Sequence, residues 1–325
     1  MGVFDFVKIF RVNKSISIDL GTANILIYDK QRKKIVLNEP SVVARDRKTG
    51  RLIAVGKEAR EMLGKTPDSI QAIKPLQDGV IADIDSTKEM ITYFIHKIYG
   101  NSLFKPEVMI CVPIEVTSVE RKALFDAVKG AKKTYIIEEG RAAIIGSGVD
   151  ISQPEGSMVI DIGGGSTDIA ILSLDEIIAS KSIRIAGNRF DEDIVRYVKR
   201  KYNLLIGDRT AEKIKKELGS ALKVQSPEVM EIKGRDLETG IPNTVEVNAN
   251  EIYEAIEDSL FQIVNSTKEV LEKCPPELAA DILDNGIVMT GGGSLIRNFI
   301  DMMEKEVGIK VFLSPNPLDS VVLGG

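Results

Sequence analysis

An apolar strand that ends in aspartate and bends through glycine occurs twice in this 325-residue chain, once in each half. The first copy reads Ser15-Ile-Ser-Ile-Asp-Leu, then Gly-Thr-Ala-Asn, then Ile-Leu-Ile-Tyr. The second reads Met158-Val-Ile-Asp-Ile, then Gly-Gly-Gly-Ser-Thr-Asp, then Ile-Ala-Ile-Leu. β-Branched residues dominate both arms and glycine marks the bend, so each copy predicts a strand, a turn and a second strand. Asp19 and Asp161 hold the same place in the two copies, each two positions before a glycine. One such hairpin is common. A pair, each opening about half of the chain, predicts a duplicated α/β domain with a cleft between the copies.

The rest of the chain fits that plan. Glu107 to Val112 reads as a strand stopped by Pro113. Thr117 and Glu120 have the T-x-x-E spacing of a capping box, which predicts a helix through Lys129. Arg189 to Tyr202, Thr210 to Leu222 and Asn250 to Lys273 read as helices, the last closed by Pro275-Pro276. Ile287 to Thr290 reads as a strand entering Gly291-Gly-Gly. Strand and helix alternate, which indicates α/β. The expected division is 1–146 and 147–325. Inserted subdomains are expected at about 41–80 and 188–250, where the hairpin pattern is interrupted.

Composition excludes several chemistries. Hydrophobic residues make up 43% and charged residues 28%, the balance of a globular protein. The net charge of −5 gives no general attraction to nucleic acid. No apolar run approaches the ~20 residues that span a bilayer. Cys111 and Cys274 form no CxxC pair and read as structural thiols in a reduced, cytosolic setting. His96 is the only histidine and sits among Ile91, Phe94, Ile95 and Ile98, as a helix histidine would. Ser-His-Asp catalysis and multi-histidine metal sites are thereby set aside. Chemistry here rests on carboxylates, backbone amides and a metal carried in by the ligand.

Phosphates need donors that approach closely, and glycine turns offer backbone N–H groups with no Cβ in the way. Gly21, Thr22, Ala23 and Asn24 form one such turn, and Gly163, Gly164, Gly165, Ser166 and Thr167 another. Either alone is satisfied by an ordinary tight hairpin. The pair, each behind an aspartate, points to a shared ligand. Asp19 and Asp161 suit a hydrated Mg²⁺, which keeps several waters and takes few protein carboxylates. A third turn, Thr290-Gly291-Gly292-Gly293-Ser294, lies at a strand-to-helix junction where a base or ribose could rest against main chain. It is neither Walker A nor GxGxxG.

These three turns resemble the phosphate-one, phosphate-two and adenosine motifs of the actin, chaperone and sugar-kinase ATPases. The closer resemblance is to the MreB family of bacterial actin-like proteins. Asn38-Glu-Pro-Ser, Gly64-Lys-Thr-Pro, Asp78-Gly-Val-Ile-Ala-Asp, Ser182-Ile-Arg-Ile-Ala-Gly, Asp208-Arg-Thr-Ala-Glu and Pro275-Pro-Glu-Leu all resemble segments of that family, from about residue 15 to the end. The resemblance implies an actin-like fold: two duplicated RNase H-like halves with inserted subdomains around a nucleotide cleft. It implies ATP and Mg²⁺ as ligands and slow hydrolysis coupled to polymerisation. It implies that Glu212, Lys213, Lys215 and Lys216 contact adenosine, that Glu139 orients the attacking water, and that Thr167 lies near the same phosphate. Relatives usually read Glu-Glu-Pro-Met where this chain has Gly140 and Arg141 after Glu139. Proline restrains the residue before it and glycine does not, so nucleotide binding is implied more firmly than hydrolysis rate. Relatives also continue past the Leu323-Gly324-Gly325 region with a further helix.

By the same resemblance the expected partners are the chain itself, as paired protofilaments, and membrane-bound cell-shape or wall-synthesis proteins. The expected location is the cytoplasmic face of the cell membrane. Val3, Phe6, Val7 and Phe10 follow i, i+3, i+4, i+7 with Lys8, Arg11 and Lys14 nearby, the pattern of a short interfacial helix on an anionic membrane surface. Leu103-Phe104 stands where relatives carry a membrane-inserting loop. A small-molecule kinase of the same superfamily would need a substrate pocket and a base aimed at its hydroxyl. A chaperone would need a peptide-binding domain after the ATPase. A polymer subunit with little hydrolysis is the remaining alternative, allowed by Gly140.

Overall fold

Both predicted hairpins form, and each seeds a sheet of the same topology. The computed structural model describes residues 14–100, 105–114, 116–128 and 131–325. The expectations for Val3, Phe6, Val7, Phe10, Leu103 and Phe104 lie outside them.

In the first unit, β1 (Ser15–Leu20), β2 (Asn24–Asp29) and β3 (Lys34–Pro40) form an antiparallel meander. There follow β4 (Val43–Asp46), β5 (Leu52–Val55), α1 (Lys57–Met62), β6 (Ile70–Ile73), β7 (Leu76–Gln77) and β8 (Val80–Ile81). The chain continues through α2 (Ile84–Tyr99), β9 (Glu107–Val112), α3 (Ser118–Ala127) and β10 (Lys133–Glu138). The main sheet has the order β10-β9-β1-β2-β3, with β9 parallel to both β1 and β10. β4, β5 and β6 form a separate three-stranded sheet within 41–80. Ile16, Ile18, Ile25, Ile27, Val108 and Ile110 are buried against Phe94 and Leu124 of the helices. Each buried isoleucine contributes about 1.5–3 kcal/mol of transfer free energy. Thr117 accepts from the backbone of Glu120, whose carboxylate bonds back to Thr117, so the predicted capping box starts α3. His96 is exposed in the last turn of α2, and Cys111 is buried and free.

In the second unit the order is α4 (Glu139–Gly146), β11 (Ser157–Ile162), β12 (Thr167–Ser173), β13 (Glu176–Ile183), α5 (Gly187–Tyr202), β14 (Leu204–Leu205), α6 (Asp208–Leu218), β15 (Val229–Asp236) and β16 (Pro242–Asn248). Then come α7 (Ala249–Glu272), α8 (Pro276–Asn285), β17 (Ile287–Thr290), α9 (Phe299–Val307), β18 (Val311–Leu313) and α10 (Ser320–Gly324). The sheet β13-β12-β11-β17-β18 repeats the first in order and in direction: an antiparallel meander followed by two parallel strands. Even the irregularity recurs, with a register shift between the second and third strands of each meander. β14, β15 and β16 form a separate three-stranded sheet within 188–250.

The two compact units part between Glu138 and Glu139, with Gly325 joining the first. The sequence reading placed the division after residue 146. α4 falls in the second unit because it packs on α10, β11 and β12. Gly146 and Gly324 make that packing close: a Cβ on Gly146 would lie 1.8 Å from the Ser320 carbonyl oxygen, and one on Gly324 1.9 Å from that of Ala142.

Candidate functional site

In the first unit the turn after β1 is built from a glycine that cannot be replaced without strain and is pinned from two sides. A Cβ on Gly21 would stand 2.6 Å from the Asn24 carbonyl oxygen. The Ser41 hydroxyl donates to Gly21 O at 2.6 Å, and Ser41 N donates to Ala23 O at 3.0 Å. Thr22 is buried, and its hydroxyl oxygen accepts from Gly79 N at 3.1 Å. Asp78 and Gly79 link β7 to β8 with positive φ at both, the geometry of a tight hairpin turn. The Asn24 amide donates to the Asn38 side chain at 3.0 Å. The segments 38–41 and 78–81, noted in the sequence only as resemblances, are therefore the physical support of this turn. Asp19 sits at the end of β1, across from Leu26 on one side and Cys111 on the other.

In the second unit the corresponding turn is pinned by a helix start. Gly163 N donates to Ser166 O at 2.9 Å, closing the turn. Gly187 N donates to Gly163 O at 3.1 Å, and Asn188 N donates to Gly164 O at 2.7 Å. The first amides of α5, which lacks a side-chain cap, are thus satisfied by the turn itself. Gly165 and Ser166 are buried beside it. Thr167 is also fully buried, and its hydroxyl donates to Ile185 O at 2.6 Å.

The third glycine turn lies against the second. Asp161 pairs in register with Thr290 of β17, so the two motifs leave the sheet side by side. Gly291 has φ 80°, and a Cβ there would lie 2.3 Å from Ile162 O and 2.6 Å from Asp161 Oδ1. A Cβ on Gly293 would lie 2.3 Å from a methyl carbon of Ile162. Glycine is required here for close packing on β11. Gly292 to Leu295 forms a short 3-10 turn, held by the Ser294 hydroxyl donating to Gly291 O at 2.6 Å.

Of the four residues expected on α6, Lys215 is drawn inward. Its ammonium donates to Gly187 O at 2.7 Å and pairs with Asp191 at 2.9 Å, which fastens α6 to the helix start beneath the second turn. Glu212 and Lys216 pair with each other at 2.7 Å, whereas exposed Lys213 faces Glu217 at 3.9 Å. Arg297, just past the third turn, donates to Leu218 O at 3.1 Å and Gly219 O at 3.3 Å, and so caps the other end of α6. Glu139 is the first residue of α4 and is buried. That helix packs on β11 and β12, the strands that end at Asp161 and begin at Thr167. Gly140 does not prevent the helix from starting at Glu139.

Sequence reasoning missed Ser41, Arg297 and Asp168. Asp168 stands directly across from Asp161 in the antiparallel ladder, and both are buried. Residues opposite each other in such a ladder face the same side, and two carboxylates so placed favour a cation nearby. In the first unit the matching position is Leu26. Among the described residues no three of His, Cys, Asp or Glu cluster as a metal cage. The donors present fit an ion that keeps its waters better than one held wholly by protein. Also among the described residues, no helix is long and apolar enough to cross a membrane.

A model of the MreB/Mbl protein family matches residues 13–325. Cell shape-determining protein Mbl of Bacillus cereus is 50% identical over 314 residues, 96% of this chain and 94% of that protein. Cell shape-determining protein MreB of Escherichia coli K12 is 47% identical over 321 residues, 96% of this chain and 92% of that protein. The crystal structure of MreB 5 of Spiroplasma citri bound to AMPPNP matches with a TM-score of 0.91 at 40% identity, over 97% of this chain and 95% of that one. The same protein has been solved bound to ADP.

Proposed function

Because this chain belongs to the MreB/Mbl family and has the actin-like fold, we propose that it is an ATP-dependent, filament-forming protein of the bacterial cytoskeleton that acts in cell-shape maintenance. The observation that carries this reading is the paired Asp-x-Gly turns, each buttressed by its own unit. Relatives named as cell shape-determining proteins and a relative that binds AMPPNP support it.

In this reading the backbone amides of Gly21 to Asn24 and Gly163 to Thr167 bind phosphate oxygens. Asp19 and Asp161 hold a hydrated Mg²⁺, which neutralises phosphate charge when bound. Gly291 to Ser294 and the Glu212–Lys216 pair receive adenosine. Lys215 acts indirectly, fixing α6 at a set distance from the phosphate turn. Thr167, with its proton committed to Ile185, stands behind the turn as an acceptor. Glu139 holds the attacking water, its carboxylate placed by the first turn of α4. Positioning and charge stabilisation dominate phosphoryl transfer, so these fixed groups suffice for slow hydrolysis.

The filament lies on the cytoplasmic face of the membrane, through Val3, Phe6, Val7 and Phe10 and through Leu103 and Phe104. Burying one leucine and one phenylalanine is worth roughly 1.5–3 kcal/mol each before ordering costs. That is close to the ~4 kcal/mol of a millimolar dissociation constant, so one subunit binds weakly and a polymer tightly. Electron microscopy of the purified chain with Mg-ATP, Mg-ADP and no nucleotide tests the reading. Filaments are expected with Mg-ATP. No polymer in any condition, together with no nucleotide binding by calorimetry, would overturn it.

A further inference from the structure

The loop from Ser314 to Ser320 joins two parts of the second unit that the proposed chemistry uses. At one end it is fixed to the third glycine turn. Ser314 N donates to Met289 O at 2.8 Å, and Pro317 O accepts from Gly291 N at 2.9 Å and from the Thr290 hydroxyl at 3.0 Å. At the other end it is fixed to α4. The Ser147 hydroxyl, just past the last residue of α4, stands 2.7 Å from Ala143 O and 2.9 Å from the Ser314 hydroxyl. Ser314 in turn lies 2.7 Å from the Ser320 hydroxyl, which is 2.8 Å from Asn316 O. Ser314 and Ser320 are both buried. The Ser320 carbonyl also stands where a Cβ on Gly146 would be, so α4 and α10 touch through main chain.

These hydroxyls form one row between two carbonyls, Ala143 O and Asn316 O. Three hydroxyl protons serve four contacts, so the row holds only three hydrogen bonds at a time. Both carbonyls also accept from the main chain, Ala143 O from Ser147 N at 3.0 Å and Asn316 O from Asp319 N at 3.0 Å. Neither carbonyl therefore needs the row for its own satisfaction. What the row adds is direction. Apolar packing alone lets a helix slide or tilt, whereas hydrogen bonds fix its register. α4 is short, and its eight residues span about 12 Å. Glu139 is its first residue, and the chain enters from β10 with no loop between. A shift where Ser147 is held thus moves the Glu139 carboxylate at the other end.

We propose that Ser314 is a positioning residue for hydrolysis, and that the row Ser147–Ser314–Ser320 holds Glu139 at a set place relative to the Gly291 turn. The proposal rests on the reading of Glu139 as the group that holds the attacking water. Ser147 and Ser314 lie past the far end of α4 and act only through it. Misplacing the group that holds water slows the chemical step and leaves ground-state binding of nucleotide in place.

The test compares phosphate release at saturating Mg-ATP, expressed per sedimented polymer, with calorimetric affinity for Mg-AMPPNP. It uses the full chain and its variants Ser147→Ala, Ser314→Ala, Ser147→Ala/Ser314→Ala, Glu139→Ala and Glu139→Ala/Ser314→Ala. Ser314→Ala leaves the Ser147 and Ser320 hydroxyls one carbonyl each, so no buried donor is orphaned and the melting temperature should stay near that of the parent. Each single serine variant should lose about tenfold in rate, with affinity within about twofold of the parent. The double serine variant should fall no further than either single, since both break the same link. On the Glu139→Ala background, Ser314→Ala should change nothing. Serine variants that release phosphate at the parent rate while Glu139→Ala is slow would overturn the proposal and leave the Glu139 reading standing. Affinity lost in step with rate would overturn it too, by making the row merely structural. Glu139→Ala at the parent rate, or a parent that binds nucleotide and releases no phosphate, would remove both.

Discussion

At Asp29, burial pushes the carboxyl up, but the Arg32 amide, the Tyr99 hydroxyl and the Gln31 amide together hold it below the usual range. A depressed carboxylate stabilises the folded state above the unfolded value near ~4 and loses that contribution as pH falls through the lower, folded value. Tyr99→Phe removes one donor and keeps the ring under Lys14 and Arg32. It should cost about 1 kcal/mol at neutral pH. Thermal denaturation across pH checks this: the gap between variant and parent should close below pH ~4, and a gap that stays constant would mean the hydroxyl acts through packing. Asp29 was not singled out in the sequence, because what distinguishes it is a donor from Tyr99, on a different element.

Helix α6 shows how far local signals reach. Its start was expected at Thr210 and lies at Asp208, within the usual uncertainty of a helix end. Its end was expected at Leu222 and lies at Leu218, because Arg297 takes the carbonyls of Leu218 and Gly219 and Ala221 N donates to Arg297 O at 2.8 Å. A cation at a helix C-terminus also complements the helix dipole. Arg297 pairs with Glu228 at 2.6 Å as well, and holds that carboxyl below its usual range. Through these contacts Arg297 ties the Gly291 turn to the helix that bears Glu212 and Lys216. Arg297→Ala should lower stability by about 1–3 kcal/mol and weaken adenine nucleotide binding more than inorganic phosphate binding. Denaturant melts and calorimetric titration would read both; equal weakening of the two ligands would make Arg297 merely structural. Arg297→Lys should restore little, since a point charge cannot reach two carbonyls and a carboxylate together.

For the whole molecule, the duplicated sheet sets where chemistry can sit. Each unit leaves its first strand at an Asp-x-Gly turn, and the chain passes from one unit to the next at Glu138–Glu139. Glu139 thus begins the helix that packs on β11 and β12. Glu139→Ala should reduce phosphate release at least about tenfold while leaving nucleotide affinity near that of the parent, if the residue positions water. Gly140→Pro should leave release unchanged or raise it, since proline is tolerated in a first helical turn. Hydrolysis at the parent rate by Glu139→Ala would assign the water to another group. The sequence alone determined both hairpins, the capping box of α3, the strands 107–112 and 287–290, and the three glycine turns. Those features depend on residues a few positions apart: alternation, β-branching, a cap, a glycine at a bend. Only the tertiary structure decided that Gly291 presses on Asp161, that Asp168 faces Asp161, that Ser41 and Gly79 brace the first turn, and that Lys215 binds Gly187. Such contacts follow from strand order and register, which no local pattern encodes, because they join residues that only the packed sheet brings within hydrogen-bond reach.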